Sequence, residues 1–363
     1  MDLKPCGHIL STHAMELEFD TFFFYEDPCL IVLLFGVNQN LVPMTNSQLN
    51  RWLNILAGDH GPQEVFICPV KVEDAGAFEY KMNRSGAVME PDSTDPLSPG
   101  NYGIFLDHTG DCRCSSVPAL RYARRPRTSY WELFQYREPH TLETVKSSIP
   151  TDIQHSVAIR DDARCVFTGD QTDLTTVWVV PPIFGILTED VSDGDWDPTP
   201  FKCPANVFTM RSDLAQSFYL NLFGVDVDDQ YRIVMFTPEG GLQELLPSHF
   251  KPFGQSQYDQ ATDHFLRRHF RLCLNVQLCQ GDIHEDFPGA EIFETSIELG
   301  ISYYANGLLN LEDLAPAEDP RWETELGQEI HRDLWARRKP ASDTRQANRR
   351  KKYGMSSNAE ITG

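Results

Sequence analysis

Ile159–Asp170 reads IRDDARCVFTGD, and three stretches follow it in order: TTVWVVPP (Thr175–Pro182), NVFTMRSDLAQSF (Asn206–Phe218) and VDVDDQYRIVMF (Val225–Phe236). Arg164–Gly169 is expected to form a strand and turn. Thr175–Pro181 is an apolar strand ended by proline, which cannot donate to a ladder. Ser212–Phe218 begins a helix, with Ser212 or Asp213 as the expected cap. Val225–Asp228 and Tyr231–Phe236 read as a hairpin across Asp229-Gln230. Upstream, Pro150–Asp162 carries Ile153, Val157 and Ile159 on a short helix. Downstream, Tyr258–Gln277 is a long helix with Phe265, His269, Leu272 and Val276 on its apolar side. Strands and helices mixed in this way predict an α+β fold.

Further out, Leu17–Tyr25 and Leu30–Phe35 read as two strands joined at Glu26-Asp27-Pro28. Ser47–Gly58 places Leu49, Trp52, Leu53 and Leu56 at helical spacing and stops at glycine. Val65–Val72 and Tyr102–Leu106 are further strands, separated by a Pro/Ser/Asp/Gly-rich loop over Met89–Asn101. The expected organisation is a β-rich N-terminal domain (1–140), a linker at Glu138-Pro139-His140 and a central domain (150–278). A helical extension (279–335), with a helix near Trp322–Trp335, and a basic tail (336–363) complete it.

The chain of 363 residues carries a formal charge of −22. Residues 331–363 hold nine basic and three acidic residues, a net of +6, which leaves −28 on the rest. A body of that sign repels phosphate at long range, which disfavours nucleic acid and favours protein partners. In the tail, Arg337 and Arg338 precede Arg349, Arg350, Lys351 and Lys352 by ten residues, the spacing of a bipartite nuclear-import signal. No apolar run is long enough to span a membrane, and no secretory signal is evident. The nine cysteines are odd in number and scattered, unlike a secreted disulfide framework. The expected location is nuclear or cytoplasmic.

The four ordered stretches resemble the HNH endonuclease family, in the variant found in many fungal proteins of unknown role. There the pattern runs R-D-G-x-C-V-x-T-G, then A-H-I-V-P, then N-x-I-x-L-x-x-x-L-H-x-x-F, then a β-hairpin. The resemblance covers about Pro150–Leu278, including FLRRHFRLCLNVQL (Phe265–Leu278). It rests on Arg164, Cys165, Thr168, Gly169, Pro181, Asn206, Leu214 and Phe218. It implies a ββα-metal fold that hydrolyses phosphodiesters. In that fold a histidine ending the first strand is the general base, an asparagine braces the loop, and a helix histidine binds a divalent metal.

Carried over, the general-base position is Trp178 and the helix-histidine position is Ala215; only Asn206 remains. Tyr219 stands where an acidic residue often follows the helix phenylalanine. Indole neither accepts a proton nor binds a hard metal, and a methyl group does neither. No histidine lies between His155 and His249 to restore the site by a shift. The resemblance therefore implies a catalytically inactive relative, without cofactor or metal, acting as a nuclear binding or interaction module. Two alternatives stand beside it. One is an active nuclease in which His155, Asp161, Asp162 and Asp170 hold Mg²⁺. The other is a nuclear scaffold whose acidic body recruits protein partners only.

Other chemistry-bearing residues have plain readings. Cys165 and Cys203 supply two thiols, short of a tetrahedral zinc site. Cys112 and Cys114 lack zinc or redox spacing. Asp193, Asp195 and Asp197 alternate as in a calcium loop, but Pro198 and Pro204 stand where its glycine and glutamate belong. His264 and His269 are five apart, and His269 falls on the apolar stripe. Arg267 and Arg268 belong to the solvated side of that helix.

Overall fold

Phe22, Phe23, Phe24 and Tyr25 are all buried although they point alternately to opposite faces of one strand. Phe23 and Tyr25 enter one apolar cluster, Phe22 and Phe24 another. A strand covered on both faces belongs inside a sheet, and this one does. In this computed structural model, β1 (Thr21–Asp27), β2 (Leu30–Val37), β3 (Phe66–Gly76), β4 (Glu79–Arg84) and β5 (Gly100–Phe105) form a sheet of order β2-β1-β5-β3-β4. β1 runs antiparallel to β2, with a register shift between Phe23 and Phe24, and parallel to β5. The structure describes residues 10–27, 30–57, 65–76, 79–105, 149–182, 197–237, 241–251, 260–278 and parts of 281–334. The linker at 138–140, Cys112, Cys114, Asp193, Asp195 and the tail arginines and lysines of 337–352 lie outside the described residues.

Two short helices flank the hairpin and its return: α1 (Thr12–Glu16) and α2 (Asn46–Ala57). Thr45 Oγ1 accepts the Gln48 N–H at 3.2 Å, so threonine caps α2. Its Leu49, Trp52, Leu53 and Leu56 are buried in the cluster that holds Phe23 and Tyr25.

The central region supplies α3 (Thr151–Arg160), β6 (Leu174–Trp178), β7 (Val207–Arg211), α4 (Ser212–Tyr219), β8 (Phe223–Asp226), β9 (Arg232–Met235), α5 (Leu242–Leu245) and α6 (Gln260–Gln277). β6 pairs antiparallel with β7, and β8 with β9. Two expectations are corrected here. Arg164–Gly169 is a tight loop, because Gly169 takes φ +79° and Cys165 N–H is drawn to Asp170 O at 2.7 Å. α4 is capped at Arg211 with no side-chain cap bond. Ser212 Oγ instead donates to Asp173 O at 3.1 Å, and Asp213 Oδ1 accepts from Leu214 N–H at 2.8 Å.

Residues 1–73 and 80–285 form one compact unit, and 74–79 with 286–363 a second. The N-terminal sheet and the central region therefore share a unit where a division near 140–150 was expected. The reason is packing: Val234 and Phe236 of the β9 segment, and Phe270, Cys273 and Leu274 of α6, lie in one cluster with Trp52 and Phe23. The Trp52 ring meets Phe270 edge-on at 5.7 Å. The second unit contains α7 (Gly289–Glu298), a two-strand ribbon of β10 (Ser302–Tyr303) and β11 (Leu309–Asn310), a 3₁₀ turn at Pro320–Glu323 and a helix over 325–332. Asp319 caps that turn by accepting Arg321 N–H at 3.0 Å.

Candidate functional site

β6, β7 and α4 form a strand–strand–helix unit, with α4 following β7 without a loop. Leu174 pairs with Arg211 at one end and Trp178 with Val207 at the other. Alternation then sends neighbouring side chains to opposite faces. Val177, Phe208 and Met210 enter a core with Leu214, Ala215 and Phe218 of α4. Trp178 and Val207 enter a separate cluster with Ile149, Ile153 and Val157. The indole is 1 % exposed and Ala215 is fully buried. Trp178 and Ala215 thus occupy two different cores, on opposite sides of the ribbon.

Asn206 immediately precedes β7 and is fully buried. Its Oδ1 accepts Val180 N–H at 2.8 Å, and its Nδ2 donates to Val180 O at 2.7 Å and Phe201 O at 2.9 Å. Its own carbonyl accepts Val179 N–H at 2.8 Å. Both amide protons and the side-chain oxygen are committed to backbone, so Asn206 staples the end of β6 to the segment entering β7. Pro181 lies one residue beyond this staple and is buried.

The knuckle before β6 is held to the same ribbon. Val166 N–H donates to Thr209 O at 2.9 Å, and Gly169 N–H to Cys165 O at 2.8 Å. Thr168 Oγ1 donates to Asp170 Oδ2 at 2.9 Å, and Arg211 Nη1 to the same oxygen at 3.1 Å. These bonds, the threonine's first, hold the Asp170 carboxyl below its ordinary range. Cys165 is buried and Cys203 half-buried, both as free thiols.

Asp161 and Arg160 are the residues that the sequence did not single out as a pair. Asp161 is fully buried and accepts Thr209 N–H at 2.9 Å, Arg160 Nε at 2.7 Å and Arg160 Nη2 at 3.0 Å. Arg160 also donates to Pro204 O at 2.8 Å and Val207 O at 2.6 Å. The pair ties the end of α3 to β7. Asp162 is exposed and pairs with Arg164 at 3.0 Å, and His155 is exposed on α3. Asp161, Asp162 and Asp170 are therefore engaged with different partners. Among the described residues no group of three or more His, Cys, Asp or Glu is placed to hold a metal ion.

Behind α4 lies a second buried polar group. His269 of α6 stacks on Phe218 at 3.7 Å and 10°. Its Nε2 lies 3.2 Å from Phe218 O, and its Nδ1 lies 3.5 Å from Cys273 Sγ. The carbonyl requires the proton on Nε2, leaving Nδ1 to accept the thiol hydrogen. Burial pushes the imidazole down to about 4 and the Cys273 thiol well up. Burial likewise raises the Tyr219 phenol. Arg267 donates to Asp228 at 2.8 Å on the surface, and the Arg268 guanidinium lies 5.2 Å from the centre of the Phe201 ring. Asp197 accepts Thr199 N–H at 2.9 Å at the start of a 3₁₀ turn.

The hairpin is fastened to the N-terminal sheet's helix through Asp226. Its buried carboxylate accepts Trp52 Nε1 at 2.9 Å and pairs with Arg51 of α2. Burial raises this carboxyl even against both donors. The signal for Asp161 was the Asp161-Asp162 doublet at the end of a short helix. For Asp226 there was none, since its partners lie far upstream.

Comparison with known protein families, curated proteins and solved structures finds no match to this chain.

Proposed function

We propose that residues 150–278 are a catalytically inactive ββα scaffold of HNH type and that the chain works by binding. The observation that carries this reading is the side-chain content of the ribbon. Where the family pattern requires a base and a metal ligand stand Trp178 and Ala215, a buried indole and a buried methyl group. A proton acceptor is thus missing from the strand end, and a ligand from the helix. Asn206 keeps the bracing part of the pattern with all its bonds spent on backbone. Asp161 and Asp170 are spent on arginines, threonine hydroxyl and backbone N–H, which also speaks against a carboxylate-based nuclease.

Partners in this reading are proteins with basic surfaces, drawn by a body of charge −28 once the tail's +6 is set aside. The tail's two basic clusters act as the import signal that brings the chain to the nucleus. The test is cleavage of supercoiled plasmid and single-stranded DNA by the purified chain in Mg²⁺, Mn²⁺, Ni²⁺ or Zn²⁺ against EDTA. No metal-dependent nicking is expected. Nicking by the unmodified chain that disappears in Asp162→Asn or Asp170→Asn overturns the reading in favour of an active nuclease. A Trp178→His/Ala215→His variant that gains metal-dependent nicking supports the HNH frame; an inert variant, the outcome that two positions in separate cores favour, counts against it.

A further inference from the structure

α6 divides two cores. Its Phe265, Leu266 and Leu272 lie in the cluster of the β6–β7 ribbon and α4, while Phe270, Cys273 and Leu274 lie in the cluster of the N-terminal sheet. Along the same helix runs a row of buried hydrogen-bonding residues, His269, Cys273 and Gln277, spaced four apart and so stacked on one side. Each meets the end of α4 or the turn after it. His269 Nε2 lies 3.2 Å from Phe218 O, and Gln277 Nε2 donates to Leu220 O at 3.2 Å. Cys273 Sγ lies 3.7 Å from Asn221 Oδ1 and 3.5 Å from Phe223 O, which opens β8. The last carbonyls of a helix lack an i+4 partner within it, so α6 side chains cap α4 from outside.

The row suits a neutral imidazole. The Phe218 carbonyl keeps a proton on Nε2, so a second proton arrives at Nδ1, whose partner is the Cys273 thiol at 3.5 Å. The acids of the packed elements are engaged elsewhere: Asp213 of α4 with Arg211, Asp226 of β8 with Trp52 and Arg51, and Asp263 of α6 with Tyr231. Tyr219 of α4 is kept neutral by burial. A cation at His269 is therefore buried beside a thiol and not beside a carboxylate, and that burial is what holds the imidazole down to about 4.

We propose that this row is an acid-sensitive joint: a proton taken up at His269 parts α6 locally from the end of α4, and the parting uncovers Cys273 as a thiol that reacts with small disulfides. In that reaction the Cys273 sulfur bonds to one sulfur of the disulfide and the S–S bond breaks. The other sulfur leaves as a thiol, carrying the proton that Cys273 gives up. In the closed joint Cys273 is fully buried and its thiol is held protonated, so it is inert. The joint stands whether or not the ββα scaffold cleaves DNA.

The full chain is treated with dithiodipyridine between pH 7 and pH 4, and modification of each cysteine is followed by mass spectrometry of its peptides. Dividing the rate in the urea-unfolded chain at the same pH by the native rate cancels the thiol's own pH dependence and leaves a protection factor. Protection of Cys273 is expected to fall about a hundredfold from pH 7 to pH 4, the ratio required by an imidazole near 4 when closed and 6.5 when open. Cys165, buried in the ribbon's aromatic core, is expected to stay at least tenfold better protected than Cys273 at pH 4. His269→Gln cannot titrate and is expected to remove most of the pH dependence at Cys273. Gln277→Ala loosens the row without touching the titrating group, and is expected to speed Cys273 by a similar factor at both pH values. Parallel loss of protection at Cys165 and Cys273 means that the whole chain unfolds and overturns the proposal. Equal protection of Cys273 at pH 7 and pH 4 overturns it too, as does a pH dependence kept in His269→Gln. If His269→Gln exposes Cys165 already at pH 7, Gln277→Ala decides, and an unchanged Cys273 rate in that variant overturns the joint.

Discussion

On one face of the β6–β7 ribbon, Phe208 and Met210 enter a broad aromatic core in which Phe167 meets Phe208 and Phe223 edge-on at 6.3 and 5.4 Å. On the other, one indole fills the space between the ribbon and α3. The first face spreads its stabilisation over many side chains, so the loss of one leaves neighbours to close in. The second concentrates it in Trp178, with the polar bonds of Asp161 and Asn206 fixing the ribbon's ends. A scaffold of this kind depends most on the residues at its narrow face.

The sharpest test of that difference is therefore Trp178→Ala, expected to cost about 4 kcal/mol in a denaturant titration, as for a large aromatic removed from a tight site. Phe208→Leu, on the broad face, is expected to cost less than half as much, since volume is partly kept and neighbours can adjust. Comparable losses would show that the two faces are packed alike. Asn206→Ala follows, at about 3 kcal/mol, because it strands the Val180 N–H and two carbonyls in the interior at once. Asn206→Asp is expected to lose nearly as much, since a carboxylate cannot donate to Val180 O and Phe201 O. A mild effect of both would remove the polar staple from the argument.

Two buried groups, His269 and Asp226, pull in opposite directions with pH. His269 has a folded-state value near 4, below its usual 6.5, so the unfolded chain takes up the proton first. Its contribution is full above about pH 6.5 and is lost as the pH falls toward 4, amounting to about 3 kcal/mol. Asp226 is raised by burial, so the folded chain takes up its proton first, and acid relieves the cost of burying the charge. Stability measured between pH 7 and pH 4 should fall, and His269→Leu should flatten that fall even though it lowers the plateau. Asp226→Asn should make the fall steeper. A slope unchanged in His269→Leu would assign acid sensitivity to other groups.

Local elements were legible because their signals are local. The β1–β2 hairpin, α2 and α6 follow from strand composition and helical spacing of apolar residues, and the structure places them close to the expected residues. β4 was missed because Glu79–Arg84, EYKMNR, has the polarity of a loop and gains its ladder from β3. Arg164–Gly169 was misread because Cys-Val-Phe is strand-like in composition. The glycine's left-handed φ and the contact with Thr209 turn it into a knuckle. The union of the N-terminal sheet with the central region was illegible, since Trp52–Asp226 and Trp52–Phe270 join residues far apart in sequence. At the site, the bracing role of Asn206 could be anticipated. The separation of Trp178 from Ala215 could have been read from period-two alternation, with Val177 and Val179 facing one core and Trp178 the other.

The smallest expected effect discriminates most cleanly between structure and chemistry. Asp161 and Asp162 are neighbours at the end of α3, yet one is fully buried and the other's side chain is 81 % exposed. Asp161→Asn keeps an oxygen for Thr209 N–H but loses the paired charge against Arg160 in a largely buried setting, so unfolding should come at clearly lower denaturant. Asp162→Asn only breaks a solvent-screened pair with Arg164, and its unfolding midpoint should match the parent within error. Because that variant leaves the fold intact, any change it makes in divalent-metal binding, read by calorimetry with Mg²⁺ or Mn²⁺, would have to be chemical. An unchanged heat signal is what a purely structural doublet requires. A saturable signal abolished by Asp162→Asn would turn the end of α3 from a brace into a metal ligand.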